Sequence, residues 1–335
     1  MRITRDTLLR VVRDTVAQRT RADRGLMAIY LCGSLLEEEF LLGGATDLDL
    51  VLIHSDVVPT EREIVHLTDE VHIDIAHHHH REYRQNRRLR VHPWLGPTLF
   101  NCSILHDPQH FLDFTQASVR GQFDRSDYVM ARARPLAEHA RQIWLGLHTE
   151  RPEPGPSVVA SYLRSIDHAV NAIASLSGPP LTERRFLLNF PARADAVGRP
   201  GLYPGLLGLL GNHHTDALTL AGWIQDWQAG YLALSAEQAP ARLAAGRRTY
   251  FQKAFEAMVK SDKPQDILWP LVRTWTQIIR ALPDGAAEGQ SWNTALERLG
   301  LIGDGFAERL EALDAYLDMV EETLDNWARA NGALE

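Results

Sequence analysis

Two stretches decide how this chain folds: Leu26-Met27-Ala28-Ile29-Tyr30-Leu31-Cys32-Gly33-Ser34 and Thr46-Asp47-Leu48-Asp49-Leu50-Val51-Leu52-Ile53-His54. The first is an apolar run of strand length, Leu26 to Cys32, that ends abruptly in a Gly-Ser pair. The second is a strand candidate over residues 47–54. Its centre, Leu50-Val51-Leu52-Ile53, is apolar on both faces, as in the interior of a sheet. Its start is different. Residues two apart on a strand project from the same face, so Asp47 and Asp49 share one side while Leu48, Leu50 and Leu52 share the other. Neighbouring carboxylates repel, and such a pair needs a cation between its members or ample water around them.

Further along, Val71-His72-Ile73-Asp74-Ile75 opens a third strand candidate, residues 71 to about 77, with Val71, Ile73 and Ile75 on one face and Asp74 on the other. Asp74 supplies a third carboxylate. Asp47, Asp49 and Asp74 together make a candidate oxygen cage for Mg²⁺, which takes a few carboxylates and completes its shell with water and substrate phosphate oxygens. Two such ions can clamp the attacking and leaving oxygens of an in-line displacement. Gly33-Ser34 precedes a short helix predicted over residues 35–42. Outward-pointing N–H groups and the helix dipole there favour an anion, glycine admits a phosphate close to the backbone, and the serine hydroxyl adds a donor.

A helix over residues 5 to about 19 precedes these strands, and a fourth strand candidate, residues 101–105, follows them. Residues 1–125 therefore read as an α/β or α+β layer around one small mixed sheet. After about Asp124 a period of ~3.6 residues takes over. Helices are predicted over residues 128–147, from a cap at Ser157 to about 177 beyond a proline-rich linker at 150–156, and over roughly 182–196, 215–233, 239–260, 265–282 and 291–299. A last helix carries Phe306, Leu310, Leu313, Leu317, Val320, Leu324 and Trp327 as the seam of a bundle. The expected fold class is α+β, a small mixed-sheet domain at residues 1–125 followed by an all-α helical bundle at residues 126–335.

A Gly-Ser pair after one strand, Asp-x-Asp on the next and a further Asp on a later strand resemble the polymerase-beta nucleotidyltransferase superfamily, over roughly residues 26–108. The gap from Gly33 to Asp47 is slightly longer than the common family spacing. The acidic run Glu37-Glu38-Glu39 stands where a second glycine often follows, and Thr46 stands where serine is usual. The helical remainder is similar, in a general way, to the substrate-binding domain of such enzymes. The resemblance implies that Gly33 and Ser34 hold the triphosphate and that Asp47 and Asp49 ligate two Mg²⁺ ions. Asp74 would ligate one of them and help deprotonate an acceptor hydroxyl. The implied reaction moves a nucleoside monophosphate, AMP from ATP by preference, to a hydroxyl or phosphate acceptor with release of pyrophosphate. A small-molecule acceptor suits the acidic chain better than RNA or protein, the acceptors of toxin-type members. The contrasting readings are a non-catalytic nucleotide sensor and a metal-dependent phosphohydrolase.

Composition narrows the field. A net charge of −8 argues against sequence-independent nucleic-acid binding, which needs a basic footprint. Arg81, Arg84, Arg87, Arg88 and Arg90 are the local exception, either a solvated face or a surface that reaches phosphates. Hydrophobic content of 45% and charged content of 23% are globular values. The apolar stretch at residues 202–210 is interrupted by Pro204, Gly205 and Gly208, and no signal-peptide core is visible, so a cytoplasmic protein with no membrane partner is expected. Cys32 and Cys102 are expected as free thiols. At most two of His77 to His80 can share a face, which disfavours a zinc site. Arg184 and Arg185 begin a helix and are candidates to reach a nucleotide, whereas Trp223, Trp227, Trp269 and Trp275 read as core. Oligomeric state is left open.

Overall fold

The computed structural model describes residues 3–212 and 215–333. The chain is α+β, with one mixed sheet and thirteen α-helices among the described residues. It divides into two compact units. One comprises the residues up to Phe123 together with Gly246–Ala254, and the other comprises Asp124–Ala245 and the residues from Phe255 on.

The first unit holds the strands β1 (Leu26–Cys32), β2 (Thr46–His54), β3 (Arg62–His66), β4 (Val71–His79) and β5 (Ser103–His106), in the order β3-β4-β2-β1-β5. β1 is antiparallel to β2 and β5, β3 is antiparallel to β4, and β2 runs parallel to β4. Helix α1 (Arg5–Ala22) covers one face. It is capped by Thr4, whose side chain accepts from the Thr7 N–H. Its Leu8, Val12 and Val16 fall at helical spacing and pack on Leu48, Leu50, Leu52, Ile73 and Ile75. The opposite face packs through Ala28, Tyr30, Val51 and Ile53 against three short helices, α2 (Asn86–Val91), α3 (Leu95–Asn101) and α4 (Phe111–Arg120). Strand alternation then commits Asp47, Asp49 and Asp74 to this second face.

Three departures from sequence reading matter here. No helix spans residues 35–42. A single 3-10 turn, Ser34–Leu36, gives way to extended backbone at Glu37 and a tight turn through Gly43 and Gly44, both at positive φ. Gly43 lies so close to the Lys253 carbonyl that an added Cβ would come within 2.1 Å of it. β5 begins at Ser103 because Asn101 closes α3. β3 was not foreseen, since it is a half-buried edge strand whose Arg62, Glu63 and His66 break any apolar pattern.

The second unit is helical: α5 (Ser126–Glu150), α6 (Pro156–Ala174), α7 (Phe186–Ala196), α8 (Leu202–Leu209), α9 (Ala217–Ala233), the end of α10 (Arg248–Val259), α11 (Leu268–Ala281), α12 (Glu288–Leu299) and α13 (Phe306–Ala330). The α6 helix starts one residue before Ser157, with Pro156 at its first position, where a missing N–H costs nothing. Leu313, Leu317, Val320 and Leu324 of α13 are buried, and Arg141 of α5 bonds Asp314, Asp318 and Glu321 along the same helix. Trp223, Trp227, Trp269 and Trp275 are core, Arg184 is buried, and both cysteines are free. No helix among the described residues is long and apolar enough to cross a membrane.

The four consecutive histidines are separated by the pleat. His77 meets His54 on the α1 face, with Nδ1 and Nε2 sharing a hydrogen bond of 2.9 Å, between Asp23 at 3.4 Å from His54 and Glu63 at 3.6 Å from His77. His78 points to the other face and bonds the Tyr83 hydroxyl at 2.6 Å, while His79 accepts from the Arg81 N–H. Burial is the chief reason that His54 and His77 titrate below the usual histidine value. The fold therefore holds this pair neutral, and the unfolded chain takes up protons first, at ~6.5. Stability should be complete above that pH and fall as pH drops below it. A urea midpoint that declines between pH 7.5 and 5.5, with a shallower decline in His77→Gln, is the expected result.

Candidate metal centre

Register builds the centre. In the parallel pairing of β2 and β4, Asp49 lies opposite Asp74 and Asp47 opposite His72, on strands ~4.8 Å apart. Each of Asp47, Asp49 and Asp74 offers a carboxylate oxygen within 4.8 Å of the others. Asp47 and Asp74 are buried and Asp49 is half-buried. Three carboxylates this close cannot all carry charge without compensation.

Compensation arrives from two directions. From the edge strand β3, Arg62 makes a two-pronged contact with Asp74, Nε donating to Oδ1 at 2.6 Å and Nη2 to Oδ2 at 2.7 Å. From the 3-10 turn Ala245–Arg247 that leads into α10, Arg247 Nη1 donates to Asp74 Oδ2 at 2.9 Å and Nη2 to Asp47 Oδ2 at 3.4 Å, although Arg247 and Asp47 are 200 positions apart. The Tyr250 hydroxyl donates to the same Asp47 oxygen at 2.7 Å. The Tyr250 ring meets His72 edge-on at 4.8 Å, and the Arg247 guanidinium lies over the Tyr250 and Phe251 rings. One turn further on, Lys253 pairs with Glu70 at 2.8 Å, so the segment is fixed at both ends.

Asp49 is treated differently. Among the described residues no cationic side chain forms an ion pair with it. Burial first, then the charges of Asp47 and Asp74, raise its pKa well above the usual carboxylate range, against a smaller opposing effect of Arg247 and Arg62. Gly33 wraps this carboxylate at φ 78°, a conformation that favours glycine, and a Cβ there would stand 1.9 Å from Asp49 Oδ2. The Ser34 hydroxyl lies 3.3 Å from that of Thr46. The 3-10 turn is too short to carry the dipole expected of a helix, and the Leu36 and Glu37 N–H groups close onto the Gly33 and Ser34 carbonyls. Whatever this turn offers an anion comes from backbone approach and the serine hydroxyl.

The donor set fits a hard divalent cation: all ligands are oxygens, they lie within 4.8 Å of one another, and no sulfur or imidazole belongs to the group. Sequence reading named the three carboxylates and missed Arg62, Arg247 and Tyr250, which touch them. Arg81, Arg84, Arg87 and Arg88 are exposed, and Arg90 is tied to the Ser118 carbonyl. No known family description matches the chain, and no curated protein matches it in sequence.

The asymmetry between carboxylates has a measurable consequence. Asp49→Asn relieves a crowded charge and should raise stability by about 0.5–2 kcal/mol. Asp74→Asn strips Arg62 and Arg247 of their shared anion and should lower stability by about 3 kcal/mol. Denaturant unfolding of both variants checks the pair of opposite signs, and equal effects would contradict it.

Proposed function

We propose that this protein is a metal-dependent nucleotidyltransferase that moves a nucleoside monophosphate, AMP from ATP by preference, to a hydroxyl or phosphate acceptor and releases pyrophosphate. The observation that carries this reading is the clustering of Asp47, Asp49 and Asp74, with carboxylate oxygens within 4.8 Å of one another, beside the glycine turn. Asp47 and Asp49 would hold two Mg²⁺ ions, and Asp74 would complete the cage and take up the proton of the acceptor. Bound Mg²⁺ would neutralise charge on the phosphate oxygens. Gly33 would let a phosphate approach the backbone, and the Ser34 hydroxyl would donate to it. Arg62, gripping Asp74 through both oxygens, would keep that carboxylate oriented. Most of the rate would come from positioning and charge compensation. The net charge of −8 favours a small, cationic acceptor over RNA or protein.

A second reading, a nucleotide-binding module without turnover, draws on one observation: Arg62 and Arg247 compensate two of the three carboxylates, which lessens the triad's need for a cation. Pyrophosphate release from each nucleoside triphosphate, with and without Mg²⁺ and a panel of hydroxyl-bearing acceptors, separates the two. Mg²⁺-dependent release that falls about 100-fold or more in Asp49→Asn is expected. Nucleotide binding with no release under any condition would favour the module.

A further inference from the structure

We propose that Arg247 is a displaceable counter-ion of the carboxylate centre, holding Asp47 and Asp74 in the absence of a divalent cation and leaving them when one binds. The proposal rests on reading Asp47, Asp49 and Asp74 as a divalent-cation site.

Two guanidinium groups touch the centre, and their geometries differ. Arg62 approaches along the sheet from the neighbouring strand and spends both donors on Asp74. That is the contact of a residue that orients one ligand. Arg247 instead spans two carboxylates, one nitrogen on Asp74 Oδ2 and the other on Asp47 Oδ2. A divalent cation shared by the same two residues has to bridge them too, and it needs oxygens that Arg247 engages. Cation and guanidinium are therefore rivals for one position.

The surroundings suit a residue that exchanges partners. Arg247 is buried, so it cannot give up Asp47 and Asp74 and remain there without another anion. A nucleoside triphosphate delivers that anion together with the cation, and the guanidinium fork matches phosphate oxygens as it matches carboxylates. Its side chain rests on the Tyr250 and Phe251 rings, contacts that do not depend on which anion it serves. The Tyr250 hydroxyl and the Lys253–Glu70 pair hold the segment while the guanidinium moves. Free cation should consequently bind weakly on its own and more tightly with nucleotide.

The test is the affinity for Mn²⁺, followed by electron paramagnetic resonance on the intact chain without nucleotide and again with ATP. Arg247→Gln is expected to bind Mn²⁺ alone at least tenfold tighter than the native protein and to lose most of the tightening that ATP confers. Arg62→Gln is the control. It removes the same charge but loosens a ligand, so it should bring no comparable gain, and an equal gain in both variants would reduce Arg247 to a general electrostatic effect and overturn the proposal. Should Arg247→Gln fail to fold, the native protein still answers: modification of Arg247 by phenylglyoxal, followed by mass spectrometry, should accelerate at least threefold when Mn²⁺ is added, and an unchanged rate refutes displacement. Equal Mn²⁺ affinity in native protein and Arg247→Gln would also overturn it while leaving the carboxylates as a cation site. Absence of Mn²⁺ binding in every variant would instead remove the cation site itself, and the counter-ion role with it.

Discussion

The parallel register of β2 on β4, which sets Asp49 level with Asp74 and Asp47 one pleat away, is the constraint from which the rest of the sheet unit follows. Oxygens of three carboxylates come within 4.8 Å of one another on a face whose neighbours are apolar. Such crowding is tolerable only if positive charge is supplied, and each unusual feature nearby supplies it or makes room for it. β3 exists as an edge strand with Arg62 turned toward Asp74, the 3-10 turn before α10 delivers Arg247 and the first turn of α10 delivers Tyr250, and Gly33 gives up a side chain so that the backbone can pass Asp49.

Stability and chemistry pull in different directions at this point. Asp74 is gripped by two arginines, whereas Asp49 is held by none and is crowded by its two neighbours. A sequence selected only for folding would soften Asp49 into an amide or an apolar residue. Asp49 instead sits beside a glycine at φ 78° whose missing Cβ leaves room for its carboxylate. The opposite face of the same strands shows the contrast: there Leu48, Leu50 and Leu52 pack on α1 in the ordinary way, and His54 and His77 share a hydrogen bond between Asp23 and Glu63.

Much of this was legible in the residues. The apolar run at Leu26 to Cys32 is β1 to the residue, and strand alternation put Asp47 and Asp49 on one face of β2 and Asp74 opposite Val71, Ile73 and Ile75 on β4, while the pairing that joins them came from the fold. What escaped was non-local. Arg62 lies on an edge strand with no apolar pattern, and Arg247 reaches Asp47 across 200 positions through a tertiary arrangement that no periodicity records. The predicted helix after Ser34 failed for a related reason. Gly43 and Gly44 turn the chain there, and Gly43 is held against the Lys253 carbonyl, a contact from the far end of the sequence. A linear reading also assigned Gly246–Ala254 to the helical half, whereas the segment packs with the sheet.

Diffraction from crystals soaked in Mn²⁺ and ATP, recorded where manganese scatters anomalously, tests the central claim most directly. The account expects an anomalous peak at ordinary metal–oxygen distance from Asp47, Asp49 and Asp74, with the Arg247 guanidinium withdrawn from both carboxylates. A structure with ATP bound, no anomalous peak among the three aspartates and Arg247 still bridging Asp47 and Asp74 would contradict it.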